Sequence, residues 1–201
     1  MKPTLFLEFE GASESSVKDI VSQCQAICVE EFRGSNFSFA SDEEERQSLW
    51  KARHSLYYAA IASRPGAETA IVTDACVPLS RFAELVHKTS LDVQEKGVVG
   101  PCFGHAGDGN IHCILPVLKE DDESYVAKLW EINDNLIKRT LDMGGTCSGE
   151  HGVGYGKMKY LKRQYGDGAV EMMRRVKRGL DPFNIMNPGK IVDFQTSTTR
   201  P

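Results

Sequence analysis

The chain has no apolar run approaching the ~20 residues of a membrane-spanning helix, so no helix of this sequence is expected to cross a bilayer. It also lacks an excess of base. At a formal net charge of −4 it does not show the strongly basic balance of nucleic-acid binders, and no nucleic-acid partner is expected. Cys24, Cys28, Cys76, Cys102, Cys113 and Cys147 form no CxxC and no disulfide-dense framework. Most lie in apolar stretches and read as small buried side chains, which points to a reducing compartment such as cytosol or mitochondrial matrix. There is no internal repeat and no GxGxxG. The string GEHGVG at Gly149–Gly154 mimics a phosphate loop only loosely, and it follows a helix rather than a strand, which excludes that reading. The first ten residues do not resemble a signal or transit peptide. What is present is 41% apolar residues, enough to bury a core in one large domain or two small ones.

Leu5, Leu7 and Phe9 alternate with Phe6, Glu8 and Glu10, the period of a strand with one buried face. Ser15 or Ser16 can cap a helix from Val17 to about Phe32, and Asn36–Ala40 read as a second short strand. Ser41-Asp42-Glu43-Glu44 opens a long helix, expected to run through Trp50, Arg53 and Tyr57 to about Ser63 before Arg64-Pro65-Gly66 breaks it. Glu68–Ala75 reads as a strand, and Pro78-Leu79-Ser80 starts a helix to about Lys96. From the acidic run at Glu120–Glu123 another helix is expected. Its apolar stripe is Val126, Leu129, Trp130, Ile132, Asn133, Leu136, Ile137, Thr140 and Leu141, and it ends at Gly144-Gly145. Short helices over Lys157–Tyr165 and Ala169–Leu180 precede a stop at Asp181-Pro182, an extended tail from Asn187, and a disordered end over Thr196–Pro201. Strands joined through helices, with one hairpin, imply an α+β fold with an antiparallel sheet and helices on one face.

The hairpin carries the chemistry. Gly104-His105-Ala106-Gly107-Asp108-Gly109-Asn110-Ile111-His112 lies between the apolar runs Val98–Phe103 and Ile111–Val117, and its glycines suit a turn. A four-residue turn at Gly107–Asn110 would set His105 opposite His112, with Cβ atoms roughly 5 Å apart. Two imidazoles so placed can grip one metal ion; equally, two histidines can flank a turn by coincidence. A structural zinc site of Cys102, His105, His112 and Cys113 conflicts with strand alternation, which turns both cysteines away from the histidines.

A second segment, Gly144-Gly145-Thr146-Cys147-Ser148-Gly149-Glu150-His151-Gly152-Val153-Gly154, is too glycine-rich for a helix. Glu150 is a candidate third ligand, because two His and one Glu with an open position is catalytic rather than structural coordination. Neighbours in a regular strand point apart, so Glu150 and His151 can serve one site only through irregular backbone, which Gly149 and Gly152 permit. Taken singly, Glu150 is also a solvated loop carboxylate and His151 a loop histidine packed on glycines.

The strings GHAGDGNIHCILPV, CSGEHGVGYGK and DPFNIMNPGKI together resemble the C-terminal part of FAD-linked 2-hydroxyacid dehydrogenases, nearest to those of the mitochondrial D-lactate dehydrogenase type. The resemblance runs over essentially the whole chain and implies a ferredoxin-like cap domain over residues 1–190, with a tail over 191–201. The family's FAD-binding domain precedes this region and is not contained here. His105, His112 and Glu150 are implied as ligands of zinc or manganese. His151 is implied as the base that takes the hydroxyl proton, for which imidazole is suited by titrating near neutral pH. Arg53 is implied as the cation for the substrate carboxylate, a role that fits a planar guanidinium, although Arg53 alone also reads as a surface helical residue. Asn110 and Asn187 are implied to help order substrate or flavin; Asn110 is also an ordinary turn residue. Where the hydroxyglutarate branch has a lysine for a second carboxylate, Val72 stands here, which favours a monocarboxylate such as D-lactate. Lys157 and Lys190 read as exposed. The resemblance further implies FAD as hydride acceptor, a flavin domain as partner, cytochrome c or another electron acceptor, and a mitochondrial or cytoplasmic location. Two alternatives belong to other classes: an interaction module of the actin-associating kind, and a stand-alone metal hydrolase.

Overall fold

The computed structural model describes residues 3–40 and 42–194. The end over Thr196–Pro201 lies outside them. The chain divides into two compact units, Met1–Leu56 and Tyr57–Pro201.

In the first unit, α1 (Glu14–Ala26) starts at Ser13, whose side chain accepts from Ser16 N–H while the Ser16 hydroxyl answers the Ser13 N–H. A π-helical turn, Ile27–Glu31, prolongs it. Helix α2 (Glu43–His54) is capped by Asp42, which accepts from Glu45 N–H, with Glu43, Glu44 and Glu45 in its first turn. Two expected strands are absent. Residues 5–10 and 36–40 have no regular secondary structure and no ladder pairing, Leu5 and Leu7 are exposed, and Asn36 has a φ of 59°. Alternation gives a segment two faces, but a strand also needs a neighbour for its N–H and C=O groups. The expected long helix over 41–63 is broken at Ser55, whose hydroxyl donates to Lys51 C=O; the following α3 (Leu56–Ala62) belongs to the second unit apart from Leu56.

The second unit is built on β4. Strands β1 (Thr69–Val72) and β2 (Ala75–Cys76) precede α4 (Leu79–Glu95), β3 (Cys102–His105), a 3₁₀ turn (Ala106–Asp108), β4 (Asn110–Val117), α5 (Glu123–Asp142) and α6 (Met158–Leu180). All pairing is antiparallel. Strands β1 and β2 lie along β4 in one register, Val72 opposite Ile114 and Ala75 opposite Ile111, interrupted at Thr73 and Asp74. Strand β3 also pairs with β4.

Helices α4 and α5 pack on one another and on the sheet. Ile111, Cys113 and Leu115 of β4 join Leu85 of α4 and Leu129, Ile132, Leu136 and Ile137 of α5 in one buried cluster. This is the stripe expected of α5, except that Trp130 is exposed. Helix α5 ends in a Schellman motif: Gly145 N–H donates to Thr140 C=O at 2.9 Å, Gly144 N–H to Leu141 C=O at 3.1 Å, and Gly144 adopts φ 78°. The two expected C-terminal helices form α6, broken at Gly166 with φ 80°.

The fold thus has the expected α+β architecture, an antiparallel sheet with helices against it. Removing the centre of the α5 stripe tests its core. Leu136→Ala is expected to destabilise the protein by about 2–5 kcal/mol, measured by urea unfolding; a loss below about 1 kcal/mol would mean that this position is not packed as described.

Candidate functional site

The expected hairpin forms in a different register. His105 pairs with Asn110, and His112 with Phe103, so the turn is Ala106–Gly109 rather than Gly107–Asn110. Gly109 has φ 75°, and a Cβ there would lie 2.0 Å from Val77 O, so a side chain is excluded on both counts. The shift between the two registers is two residues. It therefore leaves every side chain on its expected face. His105 and His112 become diagonal neighbours, with ring centroids 6.1 Å apart and planes at 90°. Cys102 and Cys113 oppose each other in the ladder, on the parity opposite to that of the two histidines.

His112 is buried and oriented by the break between β1 and β2. Thr73 N–H donates to Cys113 C=O at 3.1 Å, as a ladder requires. The return bond is unusual: Cys113 N–H donates to the Thr73 hydroxyl at 2.7 Å. The Thr73 carbonyl is thereby released and lies 3.1 Å from His112 Nδ1. A carbonyl can only accept, so Nδ1 carries the proton and Nε2 faces the site.

The glycine-rich loop joins the sheet at β2 through an isolated β-bridge. After α5, Thr146 and Cys76 exchange backbone bonds of 2.8 and 3.2 Å. Gln164 of α6 braces the same point, accepting from Cys147 N–H at 3.0 Å and donating to the Thr146 hydroxyl at 2.9 Å. The loop then delivers Glu150 and His151. Glu150 Oε1 lies 2.8 Å from His112 Nε2 and 3.8 Å from the Nε2 atoms of both His105 and His151. The His151 ring stacks on His112, with centroids 5.0 Å apart and planes at 14°. The structure therefore brings His105, His112, Glu150 and His151 together.

One ligand atom from each of His105, His112 and Glu150 lies within 4.8 Å of the others. With Nδ1 donating to Thr73, His112 Nε2 faces a carboxylate oxygen 2.8 Å away. A proton on Nε2 or a metal ion can be held between these two atoms. This donor set fits a divalent ion. A second grouping, Asp74, His112 and His151, is equally close. Its Asp74 oxygens are already taken by other donors, which makes it the poorer ligand set.

Asp74 is the residue that sequence reasoning missed. It is fully buried at the strand break. Its carboxylate accepts from Ser148 Oγ at 3.2 Å and from the N–H groups of Gly149, Glu150 and His151 at 3.0, 3.1 and 3.1 Å. Lys157 Nζ donates to Oδ2 at 2.7 Å and to the Asp74 carbonyl at 2.8 Å. Lys157 is thus a largely buried ion-pair partner, its side chain 14% exposed, and not the exposed lysine expected. The available signal was an acid in the middle of the apolar run Ile71–Val77. Gly149 packs against this arrangement, since a Cβ there would come within 2.7 Å of Asn110 Oδ1 and Asp74 Oδ1. Asn110 itself is buried, and its Oδ1 has no hydrogen-bond partner among the described residues. Asn187 lies in an exposed turn, at φ 47°, where its Oδ1 accepts from Lys190 Nζ. Arg53 occupies the last turn of α2 in the first unit and is partly buried. Val72 ends β1 opposite Ile114.

Burial alone would raise the Asp74 pKa, but the Lys157 ammonium and the His151 and Glu150 amides outweigh it and bring it to about 2. A depressed carboxylate stabilises the fold above its unfolded value, near 3.9, and that contribution is lost as pH falls through about 2. The expected size is about 2 kcal/mol. Stability curves between about pH 4 and pH 2 should therefore fall less steeply in Asp74→Asn than in the wild type. Parallel curves would show that the carboxylate gains nothing from its cradle.

The family described as "FAD linked oxidases, C-terminal domain" matches residues 1–191. The chain is 45% identical to a protein of Danio rerio named "Probable D-lactate dehydrogenase, mitochondrial", covering 98% of this chain and 39% of that protein. It is 40% identical to the mitochondrial "D-lactate dehydrogenase [cytochrome]" of Arabidopsis thaliana, over 94% of this chain and 33% of that protein. A third relative, "D-lactate dehydrogenase [cytochrome] 1, mitochondrial" of Saccharomyces cerevisiae, is 36% identical over 100% of this chain and 34% of its own length. The chain thus spans between a third and two fifths of these relatives. The hydrolase and actin-associating readings gain no support from them. With a match over nearly its whole length, the chain belongs to the FAD-linked oxidase C-terminal domain family.

Proposed function

We propose that this chain is the substrate and metal part of a flavin-dependent D-2-hydroxyacid dehydrogenase, with D-lactate as its substrate. The observation that carries the reading is the convergence of three imidazole Nε2 atoms on Glu150 Oε1 at 2.8–3.8 Å. The names of the relatives support the substrate, and Val72 in place of a cation supports a single carboxylate. We take residues 1–190 as the family domain and the residues after 190 as its tail. A mitochondrial location and a cytochrome as final electron acceptor follow the same relatives.

His105, His112 and Glu150 would hold the divalent ion, zinc or manganese. Such an ion supplies Lewis acidity that lowers the pKa of a hydroxyl, and FAD supplies the hydride acceptor. The chain's own residues do the rest. Thr73 C=O holds the His112 tautomer. His151, about half exposed beside the cluster, receives the substrate hydroxyl proton on an imidazole nitrogen as the carbon gives up its hydride. One proton and one hydride leave the hydroxyacid, which yields the 2-oxoacid. Arg53 binds the substrate carboxylate, and Asn110 and Asn187 help order substrate or flavin. His112 is shielded from water, while His105, Glu150 and His151 are about half exposed and so accessible to a substrate.

The test uses the chain joined to the remainder of its protein, with D-lactate-dependent dye reduction and metal content as readouts. His151→Gln is expected to lower kcat about 10²–10⁴-fold with metal content unchanged. His112→Ala is expected to lose the metal. Undiminished turnover in His151→Gln, or full metal content in His112→Ala, would sink the corresponding assignment.

A further inference from the structure

We infer that Asp74 is a positioning residue that sets the geometry of Glu150 and His151, acting through the backbone of their loop. The inference rests on the proposed roles of those two residues. Three successive N–H groups, of Gly149, Glu150 and His151, point at one carboxylate at 3.0–3.1 Å. Successive amides aimed at one anion form a nest, a concavity that ordinarily captures a bound anion. Here the chain fills the nest with its own side chain, so the loop is held before any ligand arrives.

The consequence for direction is specific. Adjacent residues in extended backbone project to opposite sides. Curled around Asp74, Glu150 and His151 instead bring Oε1 and Nε2 to 3.8 Å of each other beside His112. Asp74 touches none of the candidate ligand atoms through this contact; it fixes the amides from which their side chains depart. Lys157 completes the device. Its ammonium bonds both the carboxylate and the carbonyl of Asp74, which prevents the carboxylate from turning away from the loop. Gly149 leaves room for close approach, and its position above Asp74 and Asn110 allows no Cβ. Asp74 lies in the strand break opposite the His112 end of β4, so one interruption of the sheet aims His112 and anchors the loop that faces it.

The test compares wild type, Asp74→Asn and the double variant Asp74→Asn/Lys157→Met, in which no buried ammonium is left unpaired. Amide exchange is read residue by residue in isotope-labelled protein, and affinity is read by calorimetric titration with Zn²⁺ alone. Exchange at Gly149, Glu150 and His151 is expected to accelerate at least tenfold, with Ile111, Cys113 and Leu115 of β4 unchanged. Zinc affinity is expected to fall about 10–100-fold, the usual effect of losing a group that orients a ligand. The His112 ring signal is expected to keep its Nδ1 proton. Loop amides as protected as in the wild type, in either folded variant, would overturn the inference, as would general loss of protection across β4. The exchange result stands apart from the metal reading: a wild type that binds no zinc defeats that reading, while selective loss of loop protection still supports Asp74.

Discussion

Cys113 N–H donates to the Thr73 hydroxyl where a regular antiparallel ladder would offer it the Thr73 carbonyl. That exchange keeps the Cys113 N–H satisfied, which lowers the cost of breaking the sheet between β1 and β2. It also frees a carbonyl inside the protein, and the His112 imidazole takes it. An unbroken strand would keep that carbonyl in the ladder and leave His112 without a partner for Nδ1. Either ring tautomer would then be available, and only one directs the Nε2 lone pair at Glu150. The orientation of the most buried histidine therefore depends on one hydroxyl in the neighbouring strand.

The same break admits a charge into the interior, which is tolerated only when it is paired and fully hydrogen-bonded. Asp74 meets both conditions, with Lys157 for its charge and the loop donors for its lone pairs. A buried pair of this kind is weak evidence for net stability, since apolar residues of similar volume can do as well. What apolar residues cannot do is hold three amides in a fixed direction. The location of the pair, between the sheet break and the Glu150–His151 loop, agrees with that use. Stability at Asp74 and geometry at the site are thus two results of one set of bonds.

Much of this was legible in the residues, for definable reasons. The α5 stripe follows from helical periodicity, and Gly144-Gly145 marked its end because a Schellman motif needs left-handed backbone. The faces of His105 and His112 survived an error of register because side-chain direction repeats every two residues. The strands assigned to residues 5–10 and 36–40 failed because alternation describes a face and carries no information about a partner. Asp74 was hidden for a related reason. Its partners are main-chain amides, and amides are the same for every residue type, so no side chain elsewhere in the sequence signals them. Lys157 was misread because its partner was unknown. Thr73, an ordinary strand residue by composition, revealed its role only through the place of its hydroxyl in the ladder.

Alternation also sorts the chemistry of the hairpin. Cys102 and Cys113 oppose each other, and each thiol lies within 3.6–3.8 Å of Gly100 O, where Cys113 enters the helix-facing core. The histidines occupy the other parity. A one-residue slip would exchange the two sets and present thiols to the Glu150 loop; the two-residue difference between expected and observed register does not. Soft sulfur is thereby kept from the cluster, and the remaining donors are imidazole nitrogen and carboxylate oxygen. That set suits divalent ions that take nitrogen and oxygen donors and does not favour copper(I) or iron–sulfur clusters, which need sulfur. It also leaves the proposed site without redox-active sulfur next to a group assigned to proton transfer. Strand parity thus keeps apart two sets of potential ligands that alternate along the same short hairpin.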